Sequence, residues 1–268
     1  MAASVAITVC GAAGRMGRRI IALAARSKTI TVAGAVEARD SEFLGEDAGE
    51  LAGSDRLGVA LRSGLDEGWA EGSVIVDFTH AAASLEHLEF ASEHATPIVV
   101  GSTGMSEEQR ESARRLASTV PTVMAANMSV GINVLIDLLE EAVRKLGPDF
   151  DCEIVELHHR RKKDAPSGTA LALAETAAAA SGSRRRLVLS REGLVGERDD
   201  EEIGVVALRG GDAPGDHTVM LVGQGERLEL THRAYSRDCL ASGALKAAVW
   251  IADRKAGLYS MRDVIGLR

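Results

Sequence analysis

Aromatic side chains are scarce in this chain: Phe, Tyr and Trp together make up 3% of its 268 residues. The core must therefore be assembled from Ala, Val, Leu and Ile, within a hydrophobic content of 46%. No apolar run reaches the ~18 residues that a membrane helix needs, so no spanning helix is expected. The opening stretch MAASVAITVCGAAG has no basic region ahead of its apolar residues. It passes straight into a strand and a glycine loop, and no signal peptide is expected. The three cysteines, Cys10, Cys152 and Cys239, are far apart, sit among apolar residues and have no metal-ligand spacing. Buried reduced thiols and a cytoplasmic location fit this pattern, and no metal site is expected. Positive charge is in deficit, with a formal net charge of −8, which argues against nucleic acid as a partner.

What the chain does have begins with SVAITVCGAAGRMGRRIIALAAR. Val5, Ile7 and Val9 mark a strand buried on both faces. Gly11, Gly14 and Gly17 follow as a G-x-x-G-x-x-G turn into a helix. Such a turn lets backbone approach a pyrophosphate, whose charge meets free N–H groups at the helix start. Arg15 on the first turn adds a cation. A second strand, TITVAGAVE, ends in Glu37, about 20 residues on, where dinucleotide folds place the acid that accepts from ribose hydroxyls. Glu37 disfavours a 2′-phosphate, while Arg39 could pair with one, so the choice between NADH and NADPH stays open. Further strands at 74–78 and 97–100, with a helix between them, continue the βαβ rhythm of a parallel sheet. Their ends, Thr79 and Gly101 to Gly104, and the loop Ala125 to Met128 should border the nicotinamide half of the cofactor.

After residue 128 the character changes. A long helix, SVGINVLIDLLEEAVRKL, leads to the strand CEIVELHH and then to strands at 187–190, 204–209, 217–223 and 227–232. Gly/Asp-rich turns between them predict a mostly antiparallel or mixed open sheet. The closing helix SRDCLASGALKAAVWIADRKAG is expected to return to the first domain. Hence the expectation is an α/β protein: a Rossmann-like parallel-sheet domain at 1–128, completed by 238–268, plus an α+β substrate domain at 129–237.

The densest positive charge lies in HHRRKKDAPSGTA, where six successive residues from His158 to Lys163 are cationic or can become so. Asp164 and Ser167 are cap-type residues, Pro166 suits a first turn, and Gly168 and Thr169 would offer free N–H groups to an anion. His158 and Lys162, four residues apart, are candidates for general acid duty. Read alone, such a run is most often a solvated face or a phosphate patch; joined to a Ser-Gly-Thr helix start and a nucleotide domain, it favours a site.

These segments together resemble the dihydrodipicolinate reductase family, also called 4-hydroxy-tetrahydrodipicolinate reductase. The resemblance rests on GAAGRMG, LGEDAGELAG, DFTHAAASLEHLEFA, GSTGM and AANMSVGINVL. It continues through ELHHRRKKDAPSGTALALAE, SREG, GVVALRGGDAPGDHTVML and THRAYSRDCLASGALKAAVW, almost the whole chain in the family's order. It implies hydride transfer from NADH or NADPH to an unsaturated cyclic dicarboxylate, giving tetrahydrodipicolinate on the diaminopimelate and lysine pathway. By motif, His158 and Lys162 match the proton-donating pair and His159 a substrate contact, while Ser167, Gly168 and Thr169 match the loop that holds a substrate carboxylate. Gly11, Ala12, Ala13, Gly14, Arg15, Met16, Glu37, Gly101, Ser102, Thr103, Ala125, Ala126, Asn127 and Met128 match the cofactor contacts. The resemblance also implies a homotetramer assembled through the open sheet. Some members carry Arg directly after the ribose-binding acid, where this chain has Ala38, with Arg39 next; some have an aromatic at Met128.

Two rival readings use the same layout. Another two-domain nicotinamide dehydrogenase, acting on an amino or imino acid, would leave the His158–Thr169 segment unexplained. A non-catalytic redox sensor would bind the dinucleotide without turning it over.

Overall fold

The computed structural model describes residues 4–182 and 186–267; Met1–Ala3 and Arg268, at the ends of the expected first domain, lie outside them. The chain forms two compact units, residues 1–130 with 237–268, and residues 131–236.

The first unit opens with β1 (Val5–Cys10), α1 (Arg15–Ala24), β2 (Ile30–Glu37), α2 (Ala48–Leu51), β3 (Arg62–Ser63) and α3 (Leu65–Gly68). It continues with β4 (Val74–Asp77), α4 (Ala81–Glu93), β5 (Ile98–Val100), α5 (Glu107–Ala117) and β6 (Pro121–Met124). Helix α6 (Val130–Leu146) then leads into the second unit, which holds β7 (Asp151–His158), α7 (Gly168–Ala180), β8 (Arg186–Val188), β9 (Glu202–Arg209), β10 (Gly215–Gly223) and β11 (Glu226–Ala234). The chain returns as α8 (Asp238–Ile251), β12 (Gly257–Tyr259) and α9 (Met261–Ile265).

The first sheet runs β12-β6-β5-β4-β1-β2-β3, and every pairing in it is parallel. Order reverses at β1, between β2 and β4, which sets the crevice where open α/β sheets take ligands. The β-branched runs of β1, β4 and β5 are buried on both faces, as helices covering both sides require. Helix α8 packs on α1 and over β1, β4, β5 and β6. Its small residues let it lie close: a Cβ on Gly243 would stand 1.7 Å from the Met128 carbonyl oxygen. Helix α5 is charged because it is a solvated element. Ser106 and Gln109 form a capping box, acids Glu107 and Glu108 fill the first turn, and Arg114 and Arg115 the last, each complementing the helix dipole.

The second sheet runs β11-β10-β7-β9-β8. It is mixed rather than mostly antiparallel: β10 is antiparallel to β7 and β11, while β9 is parallel to β7 and β8. The two parallel pairings need long connections, and the segments from 159 to 201 supply them. Along β7, Cys152, Ile154, Glu156 and His158 alternate with Asp151, Glu153, Val155 and Leu157. The first set is buried. Cys152 and Ile154 join Leu173, Ala174, Val205 and Val219 in the core of this unit. On the opposite face, Val155 neighbours Val206 and Leu157 neighbours Leu208, and Val206 and Leu208 are exposed.

Among the described residues no disulfide joins the three cysteines; Cys10 and Cys152 are buried, whereas Cys239 is only partly so. Burial, with the charges of Asp77 and Glu37 behind it, pushes the Cys10 thiol well up. No described helix is long and apolar enough to cross a membrane.

Candidate functional site

The glycine turn is a site made by leaving side chains out. A Cβ on Gly17 would stand 2.1 Å from the Gly11 carbonyl oxygen and 2.7 Å from the Ala12 Cα, so only glycine lets α1 start this close to β1. No side chain caps α1 at Gly14, leaving its first turn to an anion. Glu37, at the end of β2, accepts from the Ala13 N–H at 2.8 Å and from the Ala38 N–H at 3.1 Å. The acid thus ties its strand end to the glycine turn and is fixed in place by backbone. Gly11, Gly14 and Glu37 line one cleft of about 660 Å³, together with Ala38, Arg39, Asp66, Thr79, His80 and His87. A groove of about 760 Å³ in the same unit, along Leu23, Lys246 and Trp250, shares no residue with it.

Of the other expected cofactor residues, Ala12 is buried and Arg15 exposed. The loops at 101–103 and 125–128 do not line this cleft. The first is nonetheless linked to it. Asp77, fully buried at the end of β4, accepts from Ser84 Oγ, from Thr79 Oγ1 at 2.6 Å and from the Thr79 N–H, with His87 Nδ1 at 3.1 Å. Ser84 in turn bonds Ser102 at 2.6 Å. In the second loop only Ala126 is exposed. Met128 packs its side chain into the core, a placement different from an open contact surface, because α8 closes over it. Asn127 accepts from the Ser129 N–H.

The second unit gathers charge. His158 ends β7 and is 8% exposed; Glu156, two residues earlier on the same face, is fully buried. Their Nδ1–Oε2 separation is 2.5 Å. Arg209, at the end of β9, donates to both oxygens of Glu156 at 2.9 Å and also to the Asp164 carbonyl. The Ser167 N–H donates to Glu156 Oε1 at 3.0 Å. Burial acts to raise the Glu156 carboxyl, but hydrogen bonds from Arg209 and His158 outweigh it and hold the group below its ordinary value. Ser167 caps α7 by accepting from the Ala170 N–H and lies 3.1 Å from His217 Nε2. His217 stacks edge-on against His158 at 5.2 Å. Burial, then the charge of His158, pushes His217 down to about 4, so it is neutral at physiological pH.

The basic run therefore divides. His158 turns inward, Arg160, Arg161 and Lys163 are exposed, and Lys162 is half-buried and paired with Asp164 at 2.9 Å. That pairing holds the Asp164 carboxyl down. The His159 N–H donates to the Ala213 carbonyl, which anchors the loop after β7. Pro166 stands before the cap rather than in the first helical turn, because α7 starts at Gly168. Gly168 is exposed and Thr169 half-buried at that helix start. Sequence reasoning found His158, Lys162 and Ser167, which the fold brings to one end of the second unit. It missed Glu156, Arg209 and His217. The alternation of β7, which puts Glu156 in one row with Ile154 and His158, was the available signal. Among the described residues no group of three or more His, Cys, Asp or Glu could hold a metal ion.

Comparison with known proteins supplies the context. A family model described as dihydrodipicolinate reductase, N-terminus, matches residues 5–128, and its C-terminal counterpart matches residues 131–265. The 4-hydroxy-tetrahydrodipicolinate reductase of Syntrophus aciditrophicus (strain SB) is 49% identical over 264 residues, covering 97% of this chain and 98% of its own. That of Geobacter metallireducens (strain ATCC 53774 / DSM 7210 / GS-15) is 49% identical over 266 residues, 98% of this chain and all of its own. In fold, the chain is similar to dipicolinate-bound dihydrodipicolinate reductase from Paenisporosarcina sp. TG-14, with a TM-score of 0.77 at 21% identity over 98% of this chain and 99% of that one. An amine dehydrogenase from Mycobacterium smegmatis follows the same fold more loosely, with a TM-score of 0.60 at 12% identity over 97% of this chain and 95% of that one.

Proposed function

The chain belongs to the dihydrodipicolinate reductase family, and from that premise we propose how its residues divide the reaction. It is an NAD(P)H-dependent oxidoreductase that reduces 4-hydroxy-tetrahydrodipicolinate in lysine and diaminopimelate biosynthesis. The nicotinamide cofactor supplies a hydride. The observation that carries the reading is the pairing of an open glycine turn closed by Glu37 with a separate cluster of His158, Lys162 and the Ser167 cap.

The first unit holds the dinucleotide. Gly11 to Met16 present backbone to the pyrophosphate, and Glu37 accepts from the adenosine ribose hydroxyls through a carboxylate already aligned by the Ala13 and Ala38 N–H groups. Arg39 and Asp66 line the same cleft and act with opposite sign on a 2′-phosphate. Gly101 to Thr103 and Ala125 to Met128 border the nicotinamide, the first loop held by the chain of hydrogen bonds from Asp77 through Ser84 to Ser102.

The second unit holds the dicarboxylate. One carboxylate sits on Ser167, Gly168 and Thr169 at the start of α7, and His159 contacts the ring. Hydride addition to a conjugated ring leaves excess electron density, which His158 and Lys162 neutralise by delivering a proton. A dicarboxylate is suited to a basic lip in an otherwise acidic chain, since neither carboxylate then needs desolvation without a partner. The exposed apolar residues Val206 and Leu208 on the open sheet face support a homotetramer assembled through that face, and light scattering would read its mass. A cytoplasmic location fits three cysteines held outside any disulfide.

The test is loss of nicotinamide absorbance, with substrate generated in place from pyruvate and aspartate semialdehyde by the condensing enzyme. Rapid oxidation of NADH or NADPH is expected. Cofactor binding without oxidation would sink the reductase reading in favour of a sensor.

A further inference from the structure

Among the described residues Glu156 is the most enclosed charge in the second unit, and the reaction as assigned above makes no use of it. It is fully buried, yet each oxygen receives two donors: His158 Nδ1 and Arg209 on Oε2, the Ser167 N–H and Arg209 on Oε1. An ionised carboxylate offers about four lone-pair sites, and all are filled. Such a group has nothing to donate, so the imidazole nitrogen facing it must carry a hydrogen. The tautomer of His158 is thereby set, with Nδ1–H on Glu156.

We propose that Glu156 is a positioning residue for the proton donor: it holds His158 by Nδ1 and pairs with the ring in its doubly protonated form, so that Nε2 carries the deliverable proton. The inference rests on the assignment of His158 as a proton donor. One carboxylate also binds the cap of α7 through Ser167, so the imidazole and the carboxylate-holding helix start share a single anchor.

The surroundings fit that role. Ser167 and Arg209 can only donate to Glu156, which keeps it ionised, and it lies below its ordinary value despite burial. On the Nε2 side the backbone has been cleared: a Cβ on Gly215 would stand 2.8 Å from His158 Nε2. The charged and titratable groups facing the ring are Glu156 on its own strand, Arg209 from β9 through the shared carboxylate, and His217 from β10. Lys162, in the loop that follows, acts on the same cluster through its charge on His217. His217 is neutral, so among the described residues Glu156 is the anion in contact with the imidazole.

Replacing Glu156 with Gln makes the prediction sharp. The amide nitrogen is itself a donor, and of the partners around it only the imidazole can switch from donating to accepting. His158 then accepts through Nδ1 and keeps its proton on Nε2 as a neutral ring, a far weaker acid than the imidazolium. General acid catalysis contributes on the order of 100-fold or more, so kcat of Glu156→Gln should fall by about 100-fold with KM nearly unchanged.

The experiment combines turnover with 1H–15N correlation spectra of histidine-labelled enzyme, using wild type, Glu156→Gln, Glu156→Asp and His158→Ala. Support is a wild-type His158 protonated on both Nδ1 and Nε2, a bare Nδ1 in Glu156→Gln, the kcat loss above, and partial recovery in Glu156→Asp, which restores the charge. A bare Nδ1 in the wild type overturns the inference even if no variant folds. Full turnover in Glu156→Gln with an impaired His158→Ala overturns the role of Glu156 alone. Full turnover in both removes the donor assignment of His158 along with it.

Discussion

The two candidate sites are built by opposite means. In the first unit the glycine turn works by absence: Gly17 removes a side chain that would overlap the Gly11 carbonyl, and the donors it offers are backbone N–H groups. Its one essential charge, Glu37, is held by the turn's Ala13 N–H and by the N–H of its own neighbour Ala38. In the second unit four side chains (Glu156, His158, Arg209 and His217) interlock around the buried Glu156 carboxylate. A site of the first kind does not tolerate an added atom. A site of the second kind does not tolerate a change of charge.

The comparison is tested hardest at Gly17. Gly17→Ala should cost about 3 kcal/mol through overpacking and abolish NADH binding, read by denaturant unfolding and by cofactor fluorescence. Retained binding would mean that the close approach of α1 is dispensable. Next comes Lys162→Ala, which removes a charge and leaves the first unit intact. It should lower kcat by about 100-fold with cofactor affinity unchanged; near-normal turnover would clear Lys162 of proton donation. Third is His217, which sharpens the contrast in pH. Its folded value is depressed from 6.5 to about 4. Between those values the unfolded chain binds a proton that the fold does not, so stability falls as pH drops from about 6.5 toward 4. The loss is about 2–3 kcal/mol, and the Tm of His217→Gln should decline less steeply over this window; parallel curves would contradict it. The smallest effect belongs to Arg19, whose ion pair with Asp238 joins α1 to α8 with both side chains well exposed. Arg19→Ala should cost less than about 1 kcal/mol, and salt should erase most of that.

The same opposition explains what could be read before the fold was known. A glycine spacing followed by an acid at a fixed distance is local information, and so is Ser167 ahead of an Ala-rich helix. Strands β1, β2, β4, β5 and β6 announce themselves by β-branched runs. Strand β3 has two residues and β12 three, too short for any periodicity, and both lie at sheet edges where pairing alone defines them. The directions of β8 and β9 were hidden because a strand's own pattern does not say which way its neighbour runs. Glu156 looked like one more acid in a strand rich in acids. Its meaning depends on Arg209, 53 residues later, and on His217 beyond that, and no window of sequence spans such a meeting.

The first unit is interrupted by the second, and this has a consequence for how the protein is made. When residues 4–130 have left the ribosome, the surface that α8 will cover over β1, β4, β5 and β6 is still bare, as is the edge of β6 that β12 will pair with. The inserted unit is continuous from 131 to 236 and can complete itself while the earlier residues wait. The nucleotide fold is thus begun first and finished last. During that interval its apolar strands are the part of the nascent chain that a chaperone would find.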